Sequence, residues 1–475
     1  MRKRLLAIIA TAAMLVAMIP SMAFADVDPA DVAKIGDTGY ATLQAAIDAA
    51  NNGDEIDIIK DFSLEAQNAQ PLFSPAYNRE SYCGAYIPDD KIIILDLNGY
   101  TVSYVDAYDD VDNVMILNLG NLTINDSVGT GKITYKPVRG ASTYAKFYST
   151  IFNCGTLTIN AGTIENTCET DVDVTNAVDN HSRLSHEYGN DCILTVNGGT
   201  LTGADYYSIR QYTHYFEGVK NRVTINGGTF NNGIYMQHGD SWYYEDPAAN
   251  RLNVDCQLTI NGGTFNVFYD GASCVVSRCA NPDNNAWKIS INDGEFNAPI
   301  KLRIQRGYYY ENGVSGALAP TEATGARNGE WLAENGGFIS GGEFKDIGSA
   351  DDVTSNLLSF IKEDFVPMID DEGTYSVVSE SEAENNATYK YTDDTTGITY
   401  YADSKDALKE ALGLNEDADI EQLKPENNGN AAGGNNSEKP ENAVDTGDNS
   451  VAPFAVAGLV LAAMAAVVAT RRRYN

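Results

Sequence analysis

The chain has 475 residues, with 66 acidic against 32 basic side chains and a formal net charge of −34. A field of that sign repels phosphate backbones and excludes a nucleic-acid partner, and a polyanionic substrate such as pectate would need bridging calcium. Acidity of this kind indicates a protein that is solvated at a cell surface.

The first 25 residues have the pattern of a secretory signal peptide. Arg2, Lys3 and Arg4 precede an apolar stretch, 5–19, that is shorter than the ~20 residues needed to span a bilayer. Small residues end the segment at 21–25 (SMAFA), as a signal peptidase requires. The mature chain should therefore begin near Asp26, outside the cell.

Residues 26–60 predict an N-terminal cap. An amphipathic helix pattern covers 40–50, with Leu43, Ala46, Ile47 and Ala50 on one face. A Gly-Asp pair ends the helix, and the first strand should start at Glu55. A helix in this position would cover the open end of a stack of strands, which would otherwise template aggregation.

A repeated motif of the type Leu-Thr-Ile-Asn dominates the next region, 61–378. Its six copies start 35, 37, 29, 35 and 31 residues apart, with a weaker seventh copy at 338–344: 122–125, 157–160, 194–197, 223–226, 258–261 and 289–292. Apolar–polar alternation is typical of strands, and a regular hairpin signal is absent. We therefore predict an all-β fold, a right-handed parallel β-helix, with inward first and third motif residues and an asparagine ladder along its axis.

A third strand recurs in four coils, at 209–212, 235–238, 275–278 and 303–306. Stacking should align Tyr212, His238, Arg278 and Arg306 in one column, beside aromatic loops. Such an arrangement is typical of sugar-binding grooves, in which aromatic rings stack on the sugar while arginine, histidine and glutamine bond its hydroxyls. The predicted ligand-binding residues are Arg210, Tyr212, Gln237, His238, Trp242, Arg278, Arg306 and Tyr308. The alternative is an ordinary outer wall of a β-helix with packed loops.

Cysteines and acids give weaker signals. Seven cysteines, an odd number, leave at least one thiol unpaired, and the lack of a C-x-x-C spacing gives no support for a zinc site. Cys192 and Cys256 precede their coil motifs by two residues and should face inward, as core packing or as a disulfide. The four histidines are expected at the surface. No cofactor is indicated, although an acidic loop at 106–112 leaves calcium open.

The C-terminal part divides into four segments. We expect residues 379–424 to form a small α/β unit with a capped helix at 404–412. The Asn- and Gly-rich stretch 425–450 is expected to be a disordered stalk. The uncharged stretch 451–470 is long enough for a transmembrane helix, and the arginines of 471–475 should stay cytoplasmic.

Two family resemblances follow from these segments. The end of the chain resembles the sorting signal of Gram-positive wall proteins. Of that signal's Leu-Pro-x-Thr-Gly motif, however, 443–447 (AVDTG) retains only Thr446 and Gly447. Both linkage to the wall by sortase and retention in the membrane are therefore possible. An earlier part of the chain resembles pectate-lyase-like right-handed β-helix surface proteins of Gram-positive bacteria. The resemblance lies in segments 32–40 and 53–54, in the asparagine–glycine coils and in 371–377. That resemblance implies a right-handed β-helix fold and a position at the cell surface. It does not imply one activity, because this fold is found in proteins of many functions.

The predicted function is adhesion or glycan binding at the surface of host or neighbouring cells. The alternative is a polysaccharide lyase or glycoside hydrolase on the same scaffold. Related enzymes use paired or clustered acids, yet the acids near the groove do not recur at matching places in adjacent coils. These acids are Glu217, Asp240, Glu245, Asp246, Asp270 and Glu311. Catalytic residues are therefore not assigned from the sequence.

Overall fold

The computed structural model describes the chain in these ranges: 28–68, 81–104, 111–137, 148–167, 175–182, 190–204, 207–213, 219–238, 255–268, 273–279, 287–304, 309–311, 314–316, 326–348 and 350–425. The predicted signal peptide, the stalk beyond Pro425, the sorting remnant and the span 451–470 lie outside these ranges. Within them, no helix is long and apolar enough to cross a membrane.

The N-terminal cap has the predicted form. Strands β1 (Ala33–Ile35) and β2 (Thr38–Tyr40) form a hairpin, and helix α1 (Leu43–Ala49) follows it. Thr42 caps the helix by accepting a hydrogen bond from the Ala45 amide at 3.1 Å. The inner face of α1 is buried, and β1 pairs antiparallel with the first coil. The cap is thus joined to the stack both by packing and by backbone hydrogen bonds.

The coils form a parallel β-solenoid of about seven turns with three walls. The first wall carries the repeated motif, and its strands are β3 (Glu55–Ile58), β7 (Ile92–Asp96), β10 (Asn121–Asn125), β13 (Thr156–Ile159), β16 (Cys192–Val196), β19 (Lys220–Ile225), and the first halves of β22 (Asp255–Asn266) and β24 (Trp287–Phe296). Neighbours pair in parallel, with motif residues aligned from coil to coil. Leu122 and Ile124 are buried while Thr123 is half-buried, which confirms the predicted inward residues.

The second wall follows each motif after a sharp turn. It consists of β4 (Phe62–Leu64), β8 (Thr101–Tyr104), β11 (Lys132–Tyr135), β14 (Thr163–Asn166), β17 (Thr200–Thr202), β20 (Thr229–Asn231), the second halves of β22 and β24, and β28 (Glu343–Phe344). The turn needs glycine: Gly228 has φ +105°, and a Cβ there would lie 3.0 Å from the Gly199 carbonyl oxygen.

The third wall is a separate sheet of nine strands within the described residues. Its members are β5 (Gln67–Asn68), β6 (Ser81–Ile87), β9 (Asp112–Asn118), β12 (Ile151–Asn153), β15 (Val178–His181), β18 (Ile209–Thr213), β21 (Ile234–His238), β23 (Val275–Cys279) and β25 (Ile300–Ile304). All pairings are parallel except β5 with β6. The four sequence-predicted third strands lie in this wall.

The predicted asparagine ladder is present along the corner that follows the first wall. Each side-chain amide donates to the amide oxygen of the preceding coil at 2.8–2.9 Å. The ladder contains Asn125, Asn160, Asn197, Asn226, Asn261 and Asn292, and Ser340 extends it at 3.2 Å. Because these side chains are mostly exposed, the ladder fixes the spacing of the coils rather than filling the core.

The C-terminal end closes the stack with mixed structure. A hairpin and the capping strands are β26 (Tyr309–Glu311), β27 (Val314–Gly316), β29 (Phe365–Ile369), β30 (Tyr375–Ser379), β31 (Tyr389–Thr392), β32 (Thr399–Ala402) and β33 (Glu421–Gln422). The capping sheet runs β28–β30–β29–β32–β31–β33, so it continues the second wall.

The helices of this end are α2 (Ala326–Asn335), α3 (Ala350–Asn356), α4 (Glu380–Asn386) and α5 (Lys405–Leu412), with a 3₁₀ turn at Leu358–Phe360. Helix α5 begins as predicted, since Ser404 accepts from the Ala407 amide at 3.1 Å. The helices α2, α3 and α4 were not predicted from the sequence.

The buried cysteines pack in the core. Cys83, Cys154, Cys192, Cys256 and Cys274 are buried and free of disulfides. Cys192 and Cys256 both pair with Asn221 in register, on opposite sides, so they are two coils apart. A spacing of two coils, ~9.6 Å, is too long for a disulfide, which selects the core-packing interpretation for this pair.

Candidate functional site

The register of the third wall corrects the predicted column. Tyr212 pairs with Gln237, not with His238, and Gln237 pairs with Arg278. Arg278 then pairs with Arg303, so the predicted position of Arg306 in this column was wrong. His238 instead pairs with Thr213 and Cys279. The strands end at unequal distances from their motifs, and a one-residue slip moves a side chain to the other face.

The predicted residues divide into three groups. Arg210 and Tyr212 are described with their side chains, and both lie on β18. The structure gives Gln237, His238 and Arg278 backbone positions in β21 and β23. Trp242, Arg306 and Tyr308 lie outside the described residues. The site is therefore built here from Arg210 and Tyr212 and from the described residues around them.

An ion pair forms the centre of the site. Asp179 and Arg210 are register partners on β15 and β18, and Arg210 Nη1 lies 3.3 Å from Asp179 Oδ2. The Asp179 side chain has no solvent exposure, while the Arg210 side chain keeps 12%. Burial raises the pKa of Asp179 to about 6, because desolvation of the carboxylate outweighs the lowering influence of the Arg210 guanidinium.

A stack of three rings lies beside this ion pair. The centroids of Phe152 and His181 are 5.0 Å apart, and those of His181 and Tyr212 are 4.7 Å apart, with stacked ring planes. The Arg210 guanidinium carbon lies 4.4 Å from the Tyr212 ring centroid, which is cation–π geometry. His181 and Tyr212 are buried, so the expectation of surface histidines was wrong for His181. The stack holds Arg210 in place rather than offering a free ring to solvent.

Two tyrosines beside Arg210 are more accessible. Tyr235 is the register partner of Arg210 on β21, and its ring stacks on Tyr207 at 4.9 Å between centroids, with 12° between planes. Both tyrosines are half-buried. A ring of this kind next to a guanidinium can pack against the apolar face of a pyranose while polar groups bond its hydroxyls. Tyr235 and Arg210 therefore form the accessible part of the site.

Among the described residues, several buried polar atoms in this wall or just before its strands have no hydrogen-bond partner. They include Asp179 Oδ1 and Gln211 Oε1 within the strands, and Ser149 Oγ, Thr175 Oγ1 and both side-chain polar atoms of Asn176 before β12 and β15. Unpaired buried groups of this kind cost ~1–3 kcal/mol each, and native cores contain few of them. Asp179 Oδ1 is the one that belongs to the ion pair, and because the Asp179 side chain has no solvent exposure, the carboxylate acts on the site through Arg210.

Of the acidic loop at 106–112, which left calcium binding open, positions 106–110 lie outside the described residues. Asp112, one of its acids, heads strand β9 and is fully buried. Among the described residues one group of three acids has oxygens within 4.8 Å of one another, formed by Glu55, Asp57 and Asp96. Asp57 pairs with Lys34 at 3.2 Å, and Asp96 Oδ1 accepts the amides of Asn98 and Ser127. Asp57 and Asp96 thus already have partners, and a group of acids of this kind carries no metal assignment by itself.

The sequence missed Asp179, His181, Tyr207 and Tyr235 as site residues. Asp179 and His181 belong to Val178–His181, a third strand that resembles the others only in its apolar first residue. The one available signal was its spacing: the strand lies between two coil motifs, as 209–212 does.

Comparison of the chain with models of protein families, with curated proteins and with solved structures finds no match.

Proposed function

We propose that this protein is a surface-anchored glycan-binding protein, an adhesin, that uses the outer face of the third wall. The observation that carries the proposal is the Asp179–Arg210 pair, in which a buried carboxylate keeps one oxygen unpartnered beside a guanidinium and the Tyr207–Tyr235 rings. The guanidinium and the half-buried rings supply the donors and the apolar face that a sugar needs, and the buried carboxylate holds the guanidinium in place.

Surface placement supports the same proposal. The signal-peptide pattern at 1–25, the charge of −34 and the apolar, arginine-terminated end are features of an exported and anchored chain. In this proposal the third wall of a right-handed, pectate-lyase-like β-helix faces other cells, with the C-terminal segment in the membrane or linked to the wall near Thr446. Deleting 451–475 should release the protein into the medium, and retention after a salt wash would contradict the anchor.

A glycan array with the purified protein, followed by titration of the glycans that bind, tests the binding site. Tyr235→Ala should weaken binding by more than ~1 kcal/mol, about fivefold or more in Kd, because the variant removes the accessible ring. Arg210→Lys should also weaken binding, since lysine keeps the charge but loses the planar fork of donors.

Two matched controls separate binding from folding. Tyr391→Ala removes a half-buried tyrosine of the C-terminal cap, and Arg222→Lys changes an arginine that also pairs with an aspartate, Asp255, on the first wall. Both controls should keep the affinity of the unmodified protein. Equal loss of binding in controls and site variants, or loss of the fold in Tyr235→Ala, would show that these residues pack the wall and do not bind.

An enzyme is the second candidate, and one observation favours it. A carboxyl whose pKa is about 6 can donate a proton near neutral pH, and His181 lies two residues from Asp179 on the same strand. Reducing-sugar and unsaturated-product assays on each bound glycan test this reading. Turnover that disappears in Asp179→Asn would replace the adhesin proposal with a lyase or hydrolase.

A further inference from the structure

Two asparagines of the ladder are exposed to solvent and are followed directly by glycine. They are Asn197, which precedes Gly198, and Asn226, which precedes Gly227. The backbone nitrogen of the next residue can attack an asparagine side chain, and glycine leaves that nitrogen unhindered because it has no Cβ. These two pairs therefore combine the sequence and the exposure that the self-reaction of an asparagine needs.

The attacking nitrogen is unengaged at both positions. Neither the Gly198 amide nor the Gly227 amide donates a hydrogen bond to any residue that the structure describes. Both glycines lie in the turn between the first and second walls, outside the strands. Each nitrogen is therefore open to solvent bases that could remove its proton.

The glycine amide is held in two other Asn-Gly pairs of the chain. The Gly53 amide donates to the Ile92 carbonyl at 2.8 Å, and the Gly99 amide donates to Asp126 Oδ1 at 2.9 Å. An amide that donates such a bond is harder to deprotonate and does not turn towards the preceding side chain. The fold thus distinguishes pairs that are identical in sequence.

We propose that Asn197 and Asn226 are sites of spontaneous deamidation in the folded protein. The nitrogen of the following glycine gives up its proton and bonds to the asparagine Cγ, and the bond from Cγ to the side-chain nitrogen breaks. Ammonia leaves with that proton. Water then opens the cyclic imide to aspartate or isoaspartate, so that each amide group is exchanged for one water and no other reactant is consumed.

The ladder limits the rate of this reaction and is altered by it. Asn226 donates to Asn197 Oδ1 at 2.8 Å and accepts from Asn261 at 2.9 Å, so its side chain must leave both partners before Cγ meets the nitrogen. The carboxylate that results has no proton to donate to Asn197, and it adds charge to a chain that already carries −34. Each conversion therefore removes one contact between neighbouring coils.

Peptide mapping by mass spectrometry, after incubation of the full-length protein at alkaline pH, measures the conversion of each asparagine. In the folded protein Asn197 and Asn226 should convert faster than Asn52 and Asn98, whose glycine amides are held. In denaturant all four should convert at similar rates, because the difference between them belongs to the fold.

Asn160 provides the matched control. It has ladder bonds on both sides but precedes Ala161, so it should convert more slowly than Asn197 in both states. Asn160→Ala removes the acceptor of the Asn197 side chain. Loss of that one bond should speed the conversion of Asn197 about fivefold and leave Asn226 unchanged.

Four results would overturn the proposal. They are no conversion at Asn197 and Asn226 in the folded protein, equal rates at these positions and at Asn52 and Asn98, a rate at Asn160 as high as at Asn197, and an unchanged Asn197 rate in Asn160→Ala. Slow conversion of Asn52 and Asn98 in denaturant would also contradict it, since neighbouring sequence would then account for the difference. None of these residues belongs to the glycan site, so failure here leaves the function of the third wall untouched.

Discussion

The second and third walls are built from the same coils, but each contains a register column of a different kind. In the second wall one position is phenylalanine in four successive coils: Phe230, Phe265, Phe296 and Phe344, with ring centroids 4.7–4.9 Å apart. In the third wall one register column runs through Leu117, Phe152, Asp179, Arg210, Tyr235, Val276 and Lys301, and few of its neighbouring residues are alike.

This contrast separates the scaffold from the site. A column of identical residues at the ~4.8 Å strand spacing stabilises the stack, because each ring meets the same partner above and below. A column of dissimilar residues cannot form such a ladder, and in the third wall it instead holds a buried ion pair and unpartnered polar atoms. The third wall also has repeated columns, such as Ile151, Val178 and Ile209, and the asparagines Asn118, Asn153 and Asn180, which are hydrogen-bonded to one another. We infer that the repeated columns of both walls carry stability and that the dissimilar column of the third wall carries recognition.

The largest expected effect is in the phenylalanine column. Phe265→Ala should lower the free energy of unfolding by ~3–5 kcal/mol, since it opens a cavity in the core and breaks two ring contacts. Phe268→Ala, three residues away, is the matched control: its side chain is 52% exposed, and its loss should change stability by less than ~0.5 kcal/mol. Denaturant unfolding of both variants measures the difference, and similar losses would mean that the column is not the main stabiliser.

The sequence could predict the scaffold because the information is local and repeated. Leu122 and Ile124 point inward, the asparagines stack, and α1 and α5 begin at their capping residues, all from patterns that need only a few adjacent residues. Helix α2 was missed because Ala326–Asn335 contains Gly329 and two asparagines, which are poor helix formers. The burial of Trp331 stabilises that helix, and burial of this kind depends on tertiary contacts.

The site could be predicted only in part. Arg210 and Tyr212 were found because they lie on a recognisable third strand, whereas Asp179 and its pairing depend on register. The segments between motif and third strand vary in length, so the sequence does not determine which residues face one another across coils. Burial of a charged pair likewise results from the assembled wall and has no local signal.

The second prediction concerns pH and the third wall. The pKa of Asp179 is about 6 in the folded chain and ~3.8 when unfolded, so the folded state binds more protons between these values. Its contribution to stability is therefore complete below pH ~4 and decreases as pH rises to ~6, by about 3 kcal/mol in total. Asp179→Asn keeps the neutral form and should be more stable than the unmodified protein at pH 7 but not at pH 4.

Unfolding measured at intervals from pH 4 to 7 tests this difference. Asp255→Asn serves as the control, because Asp255 pairs with Arg222 at a partly exposed position and its loss should change stability by less than ~1 kcal/mol. Parallel stability curves for the unmodified protein and Asp179→Asn would mean that the Asp179 carboxyl is better solvated than its burial indicates.

The smallest expected effect belongs to the asparagine ladder, the second repeated column. Asn226 donates to Asn197 at 2.8 Å and accepts from Asn261 at 2.9 Å, but water can replace both partners at this exposed corner. Asn226→Ala should therefore cost only ~1 kcal/mol. Asn125, at the end of the ladder, accepts one bond from Asn160, and Asn125→Ala should cost about half as much. Equal costs at both positions would show that the turn conformation of asparagine, rather than the ladder, is what stabilises each coil.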